Sequence, residues 1–535
     1  MQNVYILDTT LRDGTQAEGV SLTVADKIRI ARKLDEFGIA YIEGGFPGAN
    51  PKDQEFFQQA RRELRLNHAK LVAFGSTRRP NASAASDEGV RALLDSGTPA
   101  VAIVGKAWDF HVRDALNVTL EENLRMIADT VAWLKQHGKE VIFDAEHFFD
   151  GYLRHPDYAL ATLRAAAEHG VDWIALCDTN GGTLPHQIAE IVRHVCDSVP
   201  VPIGIHAHND CELAVANSLS AVQAGARMVH GTINGIGERC GNANLASVIP
   251  NLELKLGVPC LADRDRIALL TETSRYVAEV ANLVPHGYQP FVGHSAFAHK
   301  GGIHVSAILR DPETYEHIPP ESVGNTRRVL VSELSGLSNL QYRAQELGID
   351  LTDRKEEVRS LLQVIKEMEY QGYQFEGAEA TQELLLIRAF DQYHPPFSLV
   401  SMRVLSSKEA VDDMSSEAMV KLTVNGRTVH TAAEGKGPVH ALDHALRKAL
   451  QPFYPELERV HLTDYKVRVL SGMDGTAAKV RVLIESSNGY DVWRTVGVSH
   501  NVIEASWEAL ADSIGYFLVR RAPVSAHSPS SSGSA

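Results

Sequence analysis

The chain has 535 residues, 44% hydrophobic and 22% charged, with a formal net charge of −15. At roughly 150 residues per domain this is about three or four structural units, fewer if one is a large barrel. The acidic balance argues against a nucleic-acid partner, whose phosphates require a basic surface.

Five cysteines, Cys177, Cys196, Cys211, Cys240 and Cys260, are scattered with no C-x-x-C pair. A disulfide framework is not expected, and a reducing compartment fits. No apolar run is long enough to span a bilayer. "MQNVYILDTT" lacks a basic stretch followed by an apolar one, so no signal peptide is read. The expectation is a cytoplasmic protein with no membrane partner.

The first 250 residues alternate in type. Short apolar runs recur: "VYILDT" (4–9), "AYIEGG" (40–45), "LVAFGS" (71–76), "AVAIVG" (100–105), "VIFDAE" (141–146), "WIALCDT" (173–179), "IGIHAH" (203–208) and "MVHGTIN" (228–234). Amphipathic stretches separate them. In "TVADKIRIARKLDEFG" (23–38) Thr23 can cap the helix, Asp26 completes a capping-box-like start, and Gly38 can end it. "TLEENLRMIADTVAWLKQHG" (119–138) reads the same way. Buried strands alternating with helices predict a parallel sheet. Eight such repeats over about 250 residues are the count and length of a (β/α)8 TIM barrel, an α/β fold. A doubly wound sheet is the competitor, but no G-x-G-x-x-G follows the first strand.

Polar residues gather at the C-terminal ends of these runs: Asp8, Arg12 and Asp13, Glu43, Asp144 and Glu146, Asp178 and Thr179, His206 and His208, Asn234. That is where a barrel carries its active site. In "GIHAHND" (204–210) the two histidines stand at i and i+2. On a strand they share one face. Polar residues on a solvated face would look the same, but a strand end at a barrel mouth favours a ligand role. Asp13 follows the first strand and Asn242 follows the eighth, and strands one, seven and eight are neighbours in a closed barrel. Two imidazoles and a carboxylate leave positions open for substrate oxygens. Such a mixed set suits Mn²⁺ or Zn²⁺ and tolerates Mg²⁺.

After residue 250 the alternation stops. Residues 261–283 read as helix, 293–309 as a Gly- and His-rich loop entering a helix, and 321–390 as mostly helical. From about 395 period-two strands appear, "SLVSMRVL", "MVKLTV", "YKVRVL" and "AAKVRVLIES". Asn425-Gly426, Val429 and Val439 match Asn488-Gly489, Val492 and Val502, each pair 63 positions apart. Two strand–strand–helix units of a duplicated α+β domain are expected, although N-G alone means only a hairpin turn. The expected organisation is a catalytic barrel over 1–260, a helical linker region over 261–390 contributing to the active site, a C-terminal α+β regulatory domain over 391–522, and a disordered tail over 523–535.

Six segments occur in order: "LDTTLRDGTQ" (7–16), "YIEGGFP" (41–47), "CDTNGGTLP" (177–185), "HAHND" (206–210), "GERCGNANL" (237–245) and "HKGGIHVSAIL" (299–309). Together they resemble the metal-dependent acyl-CoA condensing enzymes of the isopropylmalate, homocitrate and citramalate synthase family. The resemblance covers nearly the whole chain. "FDAEHFFDGY" (143–152) and "TYEHIPPESVGN" (314–325) are most similar to the branch that joins acetyl-CoA to pyruvate. A larger acceptor, 2-ketoisovalerate, and a hydroxymethylglutaryl-CoA lyase-like cleavage are the alternatives.

The resemblance implies a role for each matching residue. Asp13, His206 and His208 match the metal ligands, with Asn242 as a further or outer ligand. Arg12 matches the arginine that stabilises the enolate or alkoxide and contacts substrate; an ion pair with Glu43 is its other reading. Glu146 and His304 match the groups that move the acetyl methyl proton, with Tyr315 assisting. Thr179 matches the residue that binds the keto-acid carboxylate, and by itself reads as a helix cap. Gln16 and Glu43 are further substrate contacts, Gln16 reading equally as packing. Asp8 is expected behind the site, and His147, His294 and His299 in structural roles. His147, Phe148 and Phe149 follow Glu146; a ring turned into the pocket would favour a small acceptor, while rings packed under the next loop would not. The resemblance also implies the partners: acetyl-CoA and pyruvate as substrates, an isoleucine effector on the C-terminal domain, and a second copy of the chain in a homodimer.

Overall fold

The computed structural model describes residues 3–330, 337–351, 353–390, 394–408, 414–470 and 477–521. The Ser-rich tail expected over 523–535 lies outside them. The chain divides into two compact units, Met1–Phe297 with Ile318–Arg327, and Ala298–His317 with Arg328–Ala535. Among the described residues no helix is long and apolar enough to cross a membrane.

The first unit is a closed barrel of eight parallel strands in chain order. They are β1 (Tyr5–Asp8), β2 (Tyr41–Gly45), β3 (Lys70–Ser76), β4 (Ala100–Lys106), β5 (Glu140–Glu146), β6 (Trp173–Asp178), β7 (Ile203–Ala207) and β8 (Met228–Gly231). Pairing of Leu7 with His230 and Asp8 with Gly231 closes the ring. Burial on both faces explains the unbroken Val/Ile runs. Outward residues such as Ile6, Val101, Phe143 and Ile205 pack with Phe37, Phe56 and Phe57 into the core under the helices. Inward residues Leu7, Tyr41, Val72, Phe74, Ala100, Ala102, Ile142 and Met228 form a separate apolar plug inside the barrel.

The helix Val24–Phe37 starts with the capping box of Thr23 and Asp26 and stops at Gly38, whose φ of 95° is left-handed. Thr119 caps Leu120–Gln136 by accepting from the Glu122 amide. Two strand ends differ from the sequence reading. β8 stops at Gly231, because Asn234 takes a left-handed φ of 66°. β7 stops at Ala207, and His208 forms an isolated antiparallel bridge with Asn242. The stretch read as helix over 261–283 is a 3-10 turn, Arg264–Leu269, running into the helix Leu270–Val280.

In the second unit, β9 (Ala298–His299) and β10 (Arg328–Val329) pair in parallel, and the helices Gly302–Ile308, Leu337–Glu346, Lys355–Tyr370 and Glu379–Phe390 follow the chain. Two antiparallel three-stranded sheets come next: β11 (Phe397–Ser407), β12 (Ser415–Val424) and β13 (Arg427–Gly435), then β14 (His461–Val469), β15 (Val480–Ser487) and β16 (Val492–Ser499). A helix follows each, Pro438–Leu450 and Val502–Arg521. The repeat is therefore strand–strand–strand–helix, one strand more per copy than the sequence reading gave. Asn425 and Gly426 both have positive φ, 48° and 74°, so their tight hairpin returns the chain as β13.

Candidate active site

The inner face of each strand runs from the plug to the mouth with period two. On β5 it carries Ile142, Asp144 and Glu146; on β7, Gly204 and His206, with His208 one residue past its end; on β8, Met228 and His230. A cavity of about 510 Å³ opens above. Its lining includes Arg12, Asp13, Gln16, Asp144, Glu146, Thr179, His206 and His208.

Asp13 stands in a 3-10 turn, Asp13–Gln16, just after β1. Thr9 fixes that turn: its carbonyl accepts from the Arg12 and Gly14 amides, at 3.1 and 3.0 Å, and its hydroxyl accepts from the Asp13 amide at 3.2 Å and donates to Glu43 Oε2 at 2.7 Å. Arg12 donates through Nε to Glu43 Oε2 at 2.6 Å and through Nη1 to Asp13 Oδ2 at 2.8 Å. Its guanidinium lies 4.0 Å from the centre of the Phe74 ring. Both partners of the Arg12–Glu43 reading are thus in contact: Arg12 lines the cavity and Glu43 is fully buried behind it. Asp8 lies behind: its Oδ1 accepts from the Thr10 amide at 2.9 Å, and burial raises its carboxyl to about 7.

Asn242 joins the two sides. Its Nδ2 donates to Asp13 Oδ1 at 2.8 Å, and its Oδ1 faces His206 Nε2 at 2.9 Å. The loop before it needs glycine: Gly237 has a φ of 155°, and a Cβ there would sit 2.2 Å from Asn242 Nδ2. His206 and His208 are stacked, with ring centres 5.2 Å apart. One donor atom from each of Asp13, His206 and His208 lies within 4.8 Å of the others.

Burial governs the protonation of this group. It works against the Asp13 carboxylate, but Arg12 and the two imidazoles outweigh it and hold Asp13 below the ordinary carboxylate range. Burial, then the neighbouring His206, lowers the His208 imidazole to about 4. His206 is lowered too, chiefly by burial. A charged carboxylate and two neutral imidazoles are the forms that ligate a metal. Both His206 Nδ1 and His208 Nδ1 are buried without a hydrogen-bond partner among the described residues. The donor set fits a divalent ion held by nitrogen and oxygen.

The remaining residues fall in two places. Glu146 is paired with Lys106, the last residue of β4, which the sequence reading did not single out. Its inward position at a strand end was the available signal. Thr179 Oγ1 accepts from the His147 amide at 2.8 Å. Gln16 is exposed at the rim. His304 and Tyr315 belong to the second unit, where their rings stack with centres 4.2 Å apart and both are exposed. His299 there contacts Glu316 Oε1 at 3.1 Å. The pocket-narrowing idea for Phe148 and Phe149 is corrected: His147 takes a left-handed φ of 55° and turns the chain into the helix Phe148–Arg154. Both rings are fully buried in the core beneath the helices. The apolar lining of the cavity is Phe46, Phe74 and Val104 instead.

A closed (β/α)8 barrel with charged groups converging above its strand ends has the architecture of an enzyme. The HMGL-like family model matches residues 3–274, a homocitrate synthase post-HMGL domain-like model matches 291–372, and the LeuA allosteric (dimerisation) domain matches 376–518. The chain is 57% identical over 521 residues to a protein named (R)-citramalate synthase from Aquifex aeolicus, covering 97% of this chain and 98% of that one. A protein of the same name from Geobacter sulfurreducens is 54% identical, with 97% and 98% covered. A probable 2-isopropylmalate synthase from Methanopyrus kandleri is 33% identical, with 97% and 99% covered. The chain belongs to the HMGL-like family, among its acetyl-CoA condensing acyltransferases.

Proposed function

We propose that the chain acts as a citramalate synthase, joining acetyl-CoA to pyruvate and releasing citramalate and CoA. The observation that carries the chemistry is the gathering of Arg12, Asp13, Glu146, Thr179, His206 and His208 around one cavity. The choice of pyruvate is supported by 57% identity to a protein of that name against 33% to one named for isopropylmalate.

A proton leaves the acetyl methyl group, and the enolate carbon attacks the keto carbon of pyruvate. The resulting alkoxide gains a proton, and water cleaves the thioester to free the CoA thiol. A divalent ion held by Asp13, His206 and His208, Mn²⁺ or Mg²⁺ with Zn²⁺ as a further candidate, supplies Lewis-acid polarisation of the keto group when bound. Asn242 holds Asp13 and His206 in register for it, as a further or outer ligand. Arg12, fixed by Glu43 and Asp13, places a cation where negative charge develops. Glu146 and His304 move the methyl proton, with Tyr315 assisting His304. Thr179 accepts from the His147 amide, which leaves its own hydroxyl proton free for the keto-acid carboxylate. Gln16, at the rim, is a further substrate contact, whereas Glu43, fully buried and outside the cavity lining, acts by holding Arg12 rather than by touching substrate.

The functional division is a catalytic barrel over 1–260, a region over 261–390 that completes the site, and a regulatory domain over 391–522. The LeuA allosteric (dimerisation) match over 376–518 supports a homodimer and an allosteric role for this domain, and isoleucine, the end product this reaction would feed, is the inhibitor in this reading. Five unpaired cysteines support a cytoplasmic setting. The test is CoA release from acetyl-CoA with Mn²⁺ against pyruvate, 2-ketobutyrate, 2-ketoisovalerate and 2-oxoglutarate. Fast release with pyruvate alone is expected. Preference for 2-ketoisovalerate would overturn the acceptor, and no release with any acceptor would overturn the condensation.

A further inference from the structure

His206 is held from one side only. Its Nε2 faces Asn242 Oδ1 at 2.9 Å and Asp13 Oδ2 at 3.7 Å. Its Nδ1 has no hydrogen-bond partner among the described residues, and neither do Asp144 Oδ1 and His230 Nδ1. The last two atoms lie 3.8 Å apart. One donor atom from each of Asp144, His206 and His230 lies within 4.8 Å of the others. The rings of His206 and His230 are 5.3 Å apart, centre to centre. These three residues are 2%, 5% and 1% exposed, so bulk water does not satisfy them. They come from β5, β7 and β8, on the inner faces of the barrel.

A neutral imidazole carries a single proton. With Nε2 turned to the metal, that proton sits on Nδ1 and needs an acceptor. Ligating histidines almost always donate their outer N–H to a carboxylate, a carbonyl or a water. Asp144 offers a carboxyl oxygen beside it. No direct hydrogen bond joins Asp144 and His206, but three buried polar atoms at this spacing suit one bridging water, which takes two to four partners.

We propose that Asp144 and His230 are positioning residues that, through one ordered water, fix the Nδ1–H tautomer of His206 and so set the affinity of the metal site. This rests on the reading of Asp13, His206 and His208 as metal ligands.

The test uses the full-length chain and Mn²⁺ alone, following free Mn²⁺ by electron paramagnetic resonance, with thermal unfolding in EDTA as a control for folding. Asp144→Ala and His230→Phe should each weaken Mn²⁺ binding by about 10–100-fold. Asp144→Asn keeps the side-chain shape and one acceptor oxygen, and should lose less than Asp144→Ala. Folded variants that bind within about twofold of the parent, while His208→Ala loses binding, would overturn this proposal and leave the metal ligands standing. A parent chain that binds no Mn²⁺ would overturn both. A second Mn²⁺ in the parent, lost on His230→Phe, would also overturn it, by making the cluster itself a metal site.

Discussion

Replacing Arg12 with methionine should destabilise the barrel wall strongly even without substrate. Arg12 is the cation between two buried carboxylates, with its side chain 11% exposed beside Glu43 at 0% and Asp13 at 4%. Without it, Glu43 keeps one donor, the Thr9 hydroxyl, while its Oε1 already has no partner among the described residues. Removing one member of a buried ion pair costs about 3–5 kcal/mol, because the remaining charge is left desolvated. Arg12→Lys keeps the charge but loses the planar fork that reaches both carboxylates, so a smaller loss is expected. In the double variant Arg12→Met/Glu43→Gln the stranded charge is gone, and much of the loss should return. The chain has two compact units, so a single unfolding free energy is not defined. Native-state amide hydrogen exchange, resolved by segment in EDTA, reads β1 and β2 directly. A change of less than about 1 kcal/mol in their protection for Arg12→Met would refute the reasoning, since it would mean that the carboxylates do not depend on this cation.

The other predictions test protons and partners. His208 titrates near 4 when folded and near 6.5 when unfolded, so only the unfolded chain takes up the proton between these values. The metal-free protein should lose stability as the pH falls from about 6.5 to 4, by at most about 3 kcal/mol from this residue. His208→Asn should flatten that part of the curve; an unchanged profile in metal-free thermal unfolding counts against it. Glu146→Gln should lower kcat by about 10²–10⁴-fold with little change in the KM for pyruvate, as for loss of a proton-transfer group; equal activity in steady-state assays would remove Glu146 from that role. If His304 serves the site of a second copy, mixing inactive His304→Ala and Glu146→Gln chains should restore CoA release through hybrid dimers. Absence of rescue, with hybrids shown by mass spectrometry, would place both residues in one chain.

What could be read from the sequence follows from where burial leaves a mark. All eight barrel strands were legible, because strands covered on both faces appear as unbroken apolar runs. The pairing of His206 with His208 was legible through parity alone. β13 and β16 were not named, since "RTVHTAAEG" and "VWRTVGVS" mix polar and apolar residues; the N-G turns before them were the usable signal. Phe148 and Phe149 misled because they follow Glu146 directly, and only the left-handed turn at His147 sends their rings into the core. Lys106 and His230 meet their partners across 40 and 86 positions, contacts that no local pattern announces.

The inner faces also explain why neighbouring polar residues behave differently. On β5, Ile142 belongs to the plug, Asp144 stands above it and Glu146 reaches the rim. On β8, Met228 belongs to the plug and His230 stands above it. The middle layer is sealed below by the plug, so desolvation dominates: burial, then Glu43, raises Asp144, and burial, then His206, lowers His230. Opposite shifts have the same outcome, since both favour the neutral form. Neutral His206 keeps a lone pair for a metal and a proton for the partner behind it. A charged imidazole at that depth would have no lone pair left for the metal and would need a counter-ion of its own. Period two, applied to three strands, therefore supplies the ligand and the environment that keeps it a ligand.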